Sequence, residues 1–341
     1  MTVLVTGGAG VVGSYVVRDL VERGDRPVVV DTSPGAAWLR EFDGRVEFAR
    51  VDINDLETVA GLCRRYKVRT IVHLAALTGA ASDDEPLVMF RVNMAGTMSI
   101  LEAARRSGVQ RVVMASTRTV YPDFDGTPYG HPTYHPVPED HWLDPDRPYE
   151  VWKHAAERMG RFYQRKFGLE FAAFRFAIYY AAERTPDPGG RAMGMLHLMV
   201  ANAVRGTATV LAGGADRVMD CVYVRDLARA FVLAADAPRL DSPAYNIGAG
   251  EPVTPRRFAA AVRAAVPDAM IEIGPGVDFA PGHYCVLDIS RAGRDLGFSP
   301  RWSLESGVAD CVDRARALLT PTPRETIRES ARGATRHSAG R

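Results

Sequence analysis

The chain has 341 residues, a hydrophobic fraction of 47%, a charged fraction of 24% and a formal net charge of +1. This composition is ordinary for a globular protein, and the small charge gives no electrostatic reason to expect nucleic acid or a membrane surface as a partner. The four cysteines, Cys63, Cys221, Cys285 and Cys311, form no CxxC pair, which argues against a disulfide framework or a zinc site. No apolar run reaches the roughly 18–20 residues that span a bilayer, so we expect a cytoplasmic protein.

The first half of the chain alternates strand and helix patterns. "TVLVTG", "PVVVD", "TIVHLAA" and "RVVMAS" are typical of strands, whereas "VVGSYVVRDLVERG" and "PLVMFRVNMAGTMSILEAARRSG" have helical spacing. This alternation predicts an α/β fold, a doubly wound parallel sheet of the Rossmann type. We expect a nucleotide-binding domain over residues 1–177, with a contribution from about 218–236, and a smaller, interleaved substrate-binding lobe over 178–320. Residues 321–341 are expected to be a mobile tail.

The alternation breaks at residues 121–148, which are rich in proline, aromatic residues and histidine. Ordered loops of this length usually serve function, so we expect this one to shape the substrate pocket. Its histidines, His131, His135 and His141, lie among prolines and not on one helix face, so no metal site is predicted. Further helices are predicted near residues 148–166, 192–205, 225–236, 254–266 and 303–318.

A glycine-rich loop follows the first strand. In "TVLVTGGAGVVG", Gly7, Gly10 and Gly13 stand between a strand and a helix. Glycines let the backbone turn tightly and approach a pyrophosphate, whose charge is met by the amides of the helix N-terminus. The second strand ends in Asp31, whose carboxylate would bind the adenosine ribose hydroxyls and repel a 2′-phosphate. The sequence therefore predicts NAD as the cofactor.

A tyrosine and a lysine lie one helical turn apart in "PYEVWK". Tyr149 and Lys153 share a helix face because they are four residues apart. Ionising a tyrosine near neutral pH requires a pKa shift of about 3 units, or ~4 kcal/mol. The lysine ammonium and the positive nicotinamide ring would favour the phenolate, so we predict Tyr149 as the general base. The alternative is a cation resting beside an aromatic ring on a solvated helix.

The chain resembles the extended short-chain dehydrogenase/reductases, the NAD-dependent epimerase/dehydratase family, over about residues 2–318. The matching segments, in the order of the family, are "TGGAGVVG", Asp31, "VDIND", "HLAA", "NMAGT", "STRTVYP", "YEVWK", "DCVYVRDLA", "YNIG" and "LGFSPRWSLESGV". The resemblance implies a homodimer, packed through helices around residues 84–107 and 148–166.

The resemblance also implies a set of cofactor-binding residues. Asp52 and Ile53 would flank the adenine, and Asn93 would support the backbone of the active site. The complete expected set is Gly7, Gly10, Val11, Val12, Gly13, Asp31, Asp52, Ile53, Leu74, Ala75, Ala76, Asn93, Tyr149 and Lys153.

Hydroxyl groups follow the strand pattern "RVVMAS" in "MASTRTVYP". By resemblance Thr117 hydrogen-bonds the reacting hydroxyl or carbonyl, with Ser116 as the second candidate, and a hydroxyl suits both oxidation states. The element also resembles the "STDEVYG" of sugar-nucleotide 4,6-dehydratases, but Arg118 and Thr119 replace its two acid–base carboxyl residues. Without that pair the elimination lacks its catalyst, which argues against 4,6-dehydration.

Three elements that contact the substrate in the family differ here. Ile178 replaces an expected asparagine, Met219 replaces an arginine, and no arginine directly precedes Asp288. Losing these partners of a diphosphate should cost several kcal/mol unless other cations replace them. Arg184, Arg191, Arg205 and Arg217 are the candidates for that replacement. The expected substrate residues are Thr78, Arg118, Thr119, Ile178, Tyr179, Arg191 and Met219.

These observations predict an NAD-dependent oxidoreductase or epimerase that transfers a hydride at a secondary alcohol. The altered phosphate contacts favour a sugar-like or polyhydroxylated small molecule over a standard nucleotide sugar. One alternative is a nucleotide-sugar 4-epimerase that uses the spare arginines, and another is a non-catalytic NAD-binding sensor or scaffold. Epimerase and net dehydrogenase share every catalytic residue named here, Thr117, Tyr149 and Lys153, so the motifs do not separate them.

Overall fold

The computed structural model describes residues 2–33, 41–42, 44–78, 85–183, 192–277 and 283–319. The strands are β1 (Val3–Thr6), β2 (Val28–Asp31), β3 (Glu47–Arg50), β4 (Thr70–His73), β5 (Arg111–Ala115), β6 (Glu170–Phe176), β7 (Ile178–Tyr180), β8 (Thr209–Leu211), β9 (Cys221–Tyr223), β10 (Ala244–Ile247) and β11 (Ile271–Ile273). The α-helices are α1 (Val11–Glu22), α2 (Leu56–Arg65), α3 (Pro86–Met89), α4 (Thr97–Ser107), α5 (Pro148–Phe167), α6 (Ala192–Arg205), α7 (Val224–Asp236), α8 (Pro255–Ala265), α9 (Ser290–Leu296) and α10 (Leu304–Leu319). A π-helical segment (Phe90–Gly96) joins α3 to α4, and a 3-10 turn (Arg118–Val120) follows β5.

Seven parallel strands form the main sheet in the order β10-β6-β5-β4-β1-β2-β3. Leu4 of β1 lies between Val28 of β2 and Ile71 of β4. All four residues of β1 are buried, as expected for a parallel strand that is covered on both faces. The chain order reverses at β1, which creates a crevice at the carboxyl ends of β1 and β4. The doubly wound Rossmann-type fold predicted from the sequence is confirmed.

Helices cover both faces of this sheet. On one face α1 packs against α7, and on the other α2 packs against α4 while α5 lies on β6. The first face belongs to a hydrophobic core that continues into the second lobe, and the second face has a separate core. None of the described helices is long and apolar enough to cross a membrane.

The second lobe contains two small parallel sheets, β7-β9 and β8-β11, and the packed helices α6, α8 and α10. The seventh strand of the main sheet, β10, comes from residues that the sequence analysis placed in this lobe, and it pairs with β6. The division into two domains stays a prediction. The expected tail, 321–341, lies outside the described residues.

The π-helical segment is a difference from the single helix that the sequence predicts for this region. The side chain of Asn93 leaves the helix to bond both backbone groups of Leu77, each at 2.9 Å. Gly96 lies against Ile53, where a Cβ atom would come within 2.4 Å of Ile53 Cδ1. Wider π turns often occur at functional sites, and this one holds the segment after β4 in place.

Candidate active site

The glycine loop after β1 is packed backbone against backbone. Gly7 has φ +66°, and a Cβ atom there would lie 2.7 Å from the amide nitrogen of Ala75. A Cβ atom on Gly13 would lie 2.2 Å from the carbonyl oxygen of Gly7. The N-cap residue of α1, Gly10, has no side chain to cap the helix, and the first turn carries no acidic residue. The N-terminus of α1, with Val11 and Val12, therefore suits an anionic pyrophosphate.

Asp31 connects the end of β2 to this loop. One oxygen of its carboxylate accepts a hydrogen bond from the amide of Ala9 at 3.0 Å, and the other accepts one from the amide of Ser33 at 3.0 Å. Each oxygen keeps a further lone pair, so the carboxylate could also accept bonds from ribose hydroxyls. Asp52 is exposed and accepts two bonds from Asn54.

The segment after β4 lies beside the glycine loop. The amide of Leu74 donates to the carbonyl of Thr6 at 3.1 Å, and the amide of Ala75 donates to the Thr6 hydroxyl at 3.3 Å. Ala76 is half-buried, and Thr78 is exposed. Leu74 and Ala75 are thus held at the same sheet edge as the loop, next to the crevice at β1 and β4.

Lys153 is buried in α5 beside Tyr149. Its Nζ donates to the carbonyl oxygen of Ala115 at 2.7 Å and lies 5.8 Å from the centre of the Tyr149 ring. Burial lowers the pKa of Lys153 to about 8, and the negative charge of Glu157 opposes that shift. The side chain therefore remains mainly protonated at neutral pH, and the structure brings a positive charge next to Tyr149.

Ser116 and Thr117 have different partners, although they are neighbours at the end of β5. The Ser116 hydroxyl donates to the carboxylate of Glu157 in the interior. Thr117 caps the 3-10 turn: its Oγ1 accepts a bond from the amide of Thr119 at 3.2 Å and lies 2.9 Å from Thr119 Oγ1. This turn packs against α5, the helix that carries Tyr149. Of the two candidates, Thr117 is therefore the hydroxyl that is not bound to Glu157.

A buried polar network behind the site was missed by sequence reasoning. Arg175 on β6 donates to Glu157 at 2.7 Å, to the hydroxyl of Tyr121 at 3.2 Å and to the carbonyl of Glu139 at 3.0 Å. Tyr121 in turn donates to the side chain of Asn246 at 2.8 Å. These bonds join α5, β6, β10 and the loop after β5, and they compensate for the burial of two charges. The only signal in the sequence was an arginine inside the apolar strand "FAAFRF".

The chain matches the model of the NAD dependent epimerase/dehydratase family over residues 3–248. The protein belongs to this family. It is thus an NAD-dependent enzyme of the extended short-chain dehydrogenase/reductase type, as its motifs predicted.

Individual relatives within the family carry two different activities in their names. The chain is 32% identical to a UDP-glucose 4-epimerase of Mycolicibacterium smegmatis, with coverage of 92% of the chain and 98% of the relative. It is 30% identical to a dTDP-glucose 4,6-dehydratase of Streptomyces antibioticus, with 92% of both chains covered. A crystal structure of Thermus thermophilus UDP-glucose 4-epimerase in complex with NAD superposes with a TM-score of 0.79 at 29% identity, covering 94% of this chain and 100% of that one.

The two substituted positions of the expected substrate set, Ile178 and Met219, are part of the core. Ile178 in β7 and Met219 before β9 are 3% and 1% exposed. Tyr179 is half-buried, with its ring against Phe176 and His197. Ile178 and Met219 contribute apolar surface where the family motif provides polar groups.

The spare arginines differ in their availability. Arg217 is buried and donates to both carboxylate oxygens of Asp125, at 2.7 and 2.9 Å, and its guanidinium lies 4.9 Å from the centre of the Tyr284 ring. Arg205 is exposed at the end of α6. Arg184 and Arg191 lie outside the described residues.

A cluster of titratable side chains lies next to Tyr149. Oxygen and nitrogen atoms of Asp146, Glu150 and His283 lie within 4.8 Å of one another, and this is the potential metal-ligand group in the part of the chain that the structure describes. Burial and the neighbouring Asp146 raise the pKa of Glu150 to about 7. The loop histidines do not belong to it: His131 and His135 are exposed, and His141 packs on aromatic rings.

Proposed function

We propose that the enzyme interconverts C4 epimers of a nucleoside-diphosphate sugar. The observation that carries this proposal is the site beside the glycine loop, which combines Thr117, Tyr149 and Lys153 but has Arg118 and Thr119 at the two dehydratase positions. Relatives of both kinds are similar to the chain, yet 4,6-dehydration requires an acid–base pair at those positions. This set therefore supports epimerisation over elimination.

The proposed reaction divides the proton chemistry among three side chains. Tyr149 takes the proton of the C4 hydroxyl as the C4 hydrogen leaves as hydride, and it returns the proton in the second half. Lys153, protonated at neutral pH, stabilises the phenolate form of Tyr149. Thr117 holds the C4 oxygen, since a hydroxyl can donate to a ketone and accept from an alcohol. NAD, when bound, supplies the centre that accepts the hydride and gives it back.

Whether the bound ketone rotates between the two half-reactions decides the outcome. A ketone that rotates and takes the hydride on its opposite face gives the C4 epimer without net oxidation. A ketone that leaves makes the enzyme a dehydrogenase. The epimerase names of relatives that match over nearly their whole length favour the first outcome.

A second candidate function is oxidation or epimerisation of a sugar-like molecule without a nucleotide. The observation that favours it is the pairing of Arg217 with Asp125 together with the burial of Ile178 and Met219. In this arrangement, neither substituted position offers a charge to a diphosphate. The similarity to nucleotide-sugar epimerases favours the first candidate.

A product analysis separates the two candidates. The pure enzyme is incubated with NAD and either nucleotide sugars or free sugars and hydroxy acids, with Tyr149→Phe as the inactive control. We expect a new isomer from the nucleotide pool and no accumulation of NADH. NADH formed only from the free pool would overturn the proposal in favour of the second candidate.

We also propose that the enzyme is a homodimer. Leu87, Phe90, Val151 and Phe162, on the segments around α3 and on α5, are 62%, 38%, 38% and 42% exposed. Apolar side chains on neighbouring helices are typical of an association surface.

Light scattering should give a dimer mass for the wild type and a monomer mass for the double variant Leu87→Glu and Phe162→Glu. Phe48→Glu, a change at a 40% exposed phenylalanine on β3, should stay dimeric; a monomeric wild type would contradict this proposal.

A further inference from the structure

Arg118 carries a buried donor that binds no group in the described part of the chain. The residue directly follows Thr117, and its Nη1 is buried without a hydrogen-bond partner among the described residues. A guanidinium is always protonated in proteins. Burying part of such a cation without an anion or acceptor is costly, so the position is suited to an anionic group that enters from outside the chain.

The described groups around Arg118 do not supply that anion. The charge of Arg118 acts on five residues, Asp220, Cys221, His283, Tyr284 and Cys285, which lie around it. Burial raises the pKa of Tyr284 and of Cys285 to about 12 and the pKa of Cys221 well above its usual value, so these three are neutral. Burial lowers the pKa of His283. Asp220 remains as the one acidic neighbour of the five that ionises near neutral pH.

Asp220 is engaged by the backbone. Its carboxylate accepts hydrogen bonds from the amides of Ala249 at 2.7 Å, Leu287 at 3.2 Å and Gly250 at 3.3 Å. It is fully enclosed, and burial raises its pKa to about 6. Asp220 therefore attracts the guanidinium at a distance but leaves Nη1 without a direct bond.

Other arginines of the interior show that the lack of a partner is unusual. Arg175 binds Glu157, and Arg217 binds Asp125. Two further arginines whose Nε is buried without a hydrogen bond, Arg225 and Arg229, each lie near an aspartate, at 3.1 and 3.6 Å. Arg118 has no such carboxylate within 4.0 Å among the described residues.

We propose that Arg118 binds a carboxylate on the sugar ring, and that the substrate is a nucleoside-diphosphate hexuronate in preference to a neutral hexose. The assignment rests on the proposed function, because Thr117 is then the group that holds the C4 oxygen. In a hexuronate the carboxylate carbon is attached to C5, directly beside C4. The residue after Thr117 is thus placed to bind it, and a guanidinium can do so with two parallel hydrogen bonds.

The test compares kcat/KM for UDP-glucuronate and UDP-glucose, which differ at C6. We expect the wild type to prefer UDP-glucuronate by about 100-fold, the scale of losing one partner of a buried ion pair. Arg118→Met should lower that preference at least about 30-fold. Arg118→Lys keeps the charge but loses the planar pair of donors of the guanidinium, so it should lower the preference less. Arg256→Met, which removes an arginine paired with Asp216 and has no role in the proposed site, should leave the preference unchanged.

Equal kcat/KM values for both sugars in the wild type would overturn the carboxylate assignment, as would an unchanged preference in Arg118→Met. Calorimetry on the NAD-loaded enzyme distinguishes this failure from a failure of the proposed function. Tighter binding of UDP-glucuronate than UDP-glucose without turnover of either would support the anion site and overturn the epimerase proposal. If Arg118→Met does not fold, the Arg118→Lys comparison decides the assignment.

Discussion

The cofactor side and the substrate side of this site meet at one edge of the sheet but are built from different contacts. On the cofactor side, Gly7 and Gly13 bring backbone against backbone at distances that no side chain would permit. On the proposed substrate side, Arg118, Met219 and Arg217 are placed by contacts from distant parts of the chain, such as the bond between Arg217 and Asp125. The first arrangement is local and leaves a motif in the sequence, whereas the second depends on tertiary packing.

The largest effect on kcat is expected for the hydroxyl of Tyr149, on which the cofactor side and the substrate side both depend in the proposed reaction. Tyr149→Phe removes the proposed general base, and general acid–base catalysis is worth about 10²–10⁴-fold, so we expect kcat to fall by about 10³-fold. NAD binding, measured by calorimetry, should persist, because the glycine loop is untouched.

Tyr163→Phe is the matched control for this change. Tyr163 lies on the same helix, and its hydroxyl donates to Glu102 at 3.1 Å, away from the site. Its kcat should stay within about 3-fold of the wild type. A Tyr149→Phe enzyme that kept more than a tenth of the wild-type kcat would show that another group takes the proton.

The adjacent hydroxyls at the end of β5 allow a finer comparison. Thr117→Val should lower kcat by about 10–100-fold, since a hydrogen bond to a group that becomes charged is worth about 1.5–3 kcal/mol. Ser116→Ala should instead lower the melting temperature, because it removes a donor from the buried Glu157. Both kcat and thermal melting are measured for the two variants. Reversed effects would make Ser116 the residue that contacts the substrate.

The smallest effect concerns stability and pH at Glu150. Burial and Asp146 raise its pKa from 4.5 to about 7, so the native state keeps a proton that the unfolded state releases between these values. Stability from this group is therefore present below pH 4.5 and is lost as the pH rises to 7. Glu150→Gln should match the wild type near pH 4.5 and exceed it by about 2 kcal/mol at pH 7.5, from urea unfolding.

The control for that experiment is Glu272→Gln, which removes an exposed carboxylate on β11. Its stability difference from the wild type should be the same at both pH values. If the stability difference of Glu150→Gln also showed no change with pH, burial and Asp146 would not raise the pKa of Glu150 as the structure indicates.

The elements of this fold could be predicted because their signals are local. Helix α5 was expected at about 148–166 and runs over Pro148–Phe167. The strands β1, β2, β4 and β5 each lie within an apolar run of the sequence. The edge strand β10 was not assigned to the main sheet, because its pairing with β6 joins residues about seventy positions apart. The π-helical turn was also missed, since it depends on the bonds of Asn93 to Leu77.

The candidate site shows the same limit. The glycine loop, Asp31 and the Tyr149–Lys153 pair could be named from spacing alone. The unpaired state of Arg118 could not, because it depends on Asp220 being bound by the amides of Ala249, Gly250 and Leu287. Spacing shows which residues are neighbours along one element, but not which buried charges already have partners.

Deuterium at C4 shows whether the hydride that leaves C4 also returns to C4. The NAD-loaded enzyme is given UDP-glucose or UDP-glucuronate labelled with deuterium at C4, and the products are resolved by chromatography and mass spectrometry. We expect a C4 epimer that retains deuterium at C4 while no NADH accumulates. Deuterium that appears in accumulated NADH, with no epimer from either sugar, would show that the enzyme is a dehydrogenase and not an epimerase.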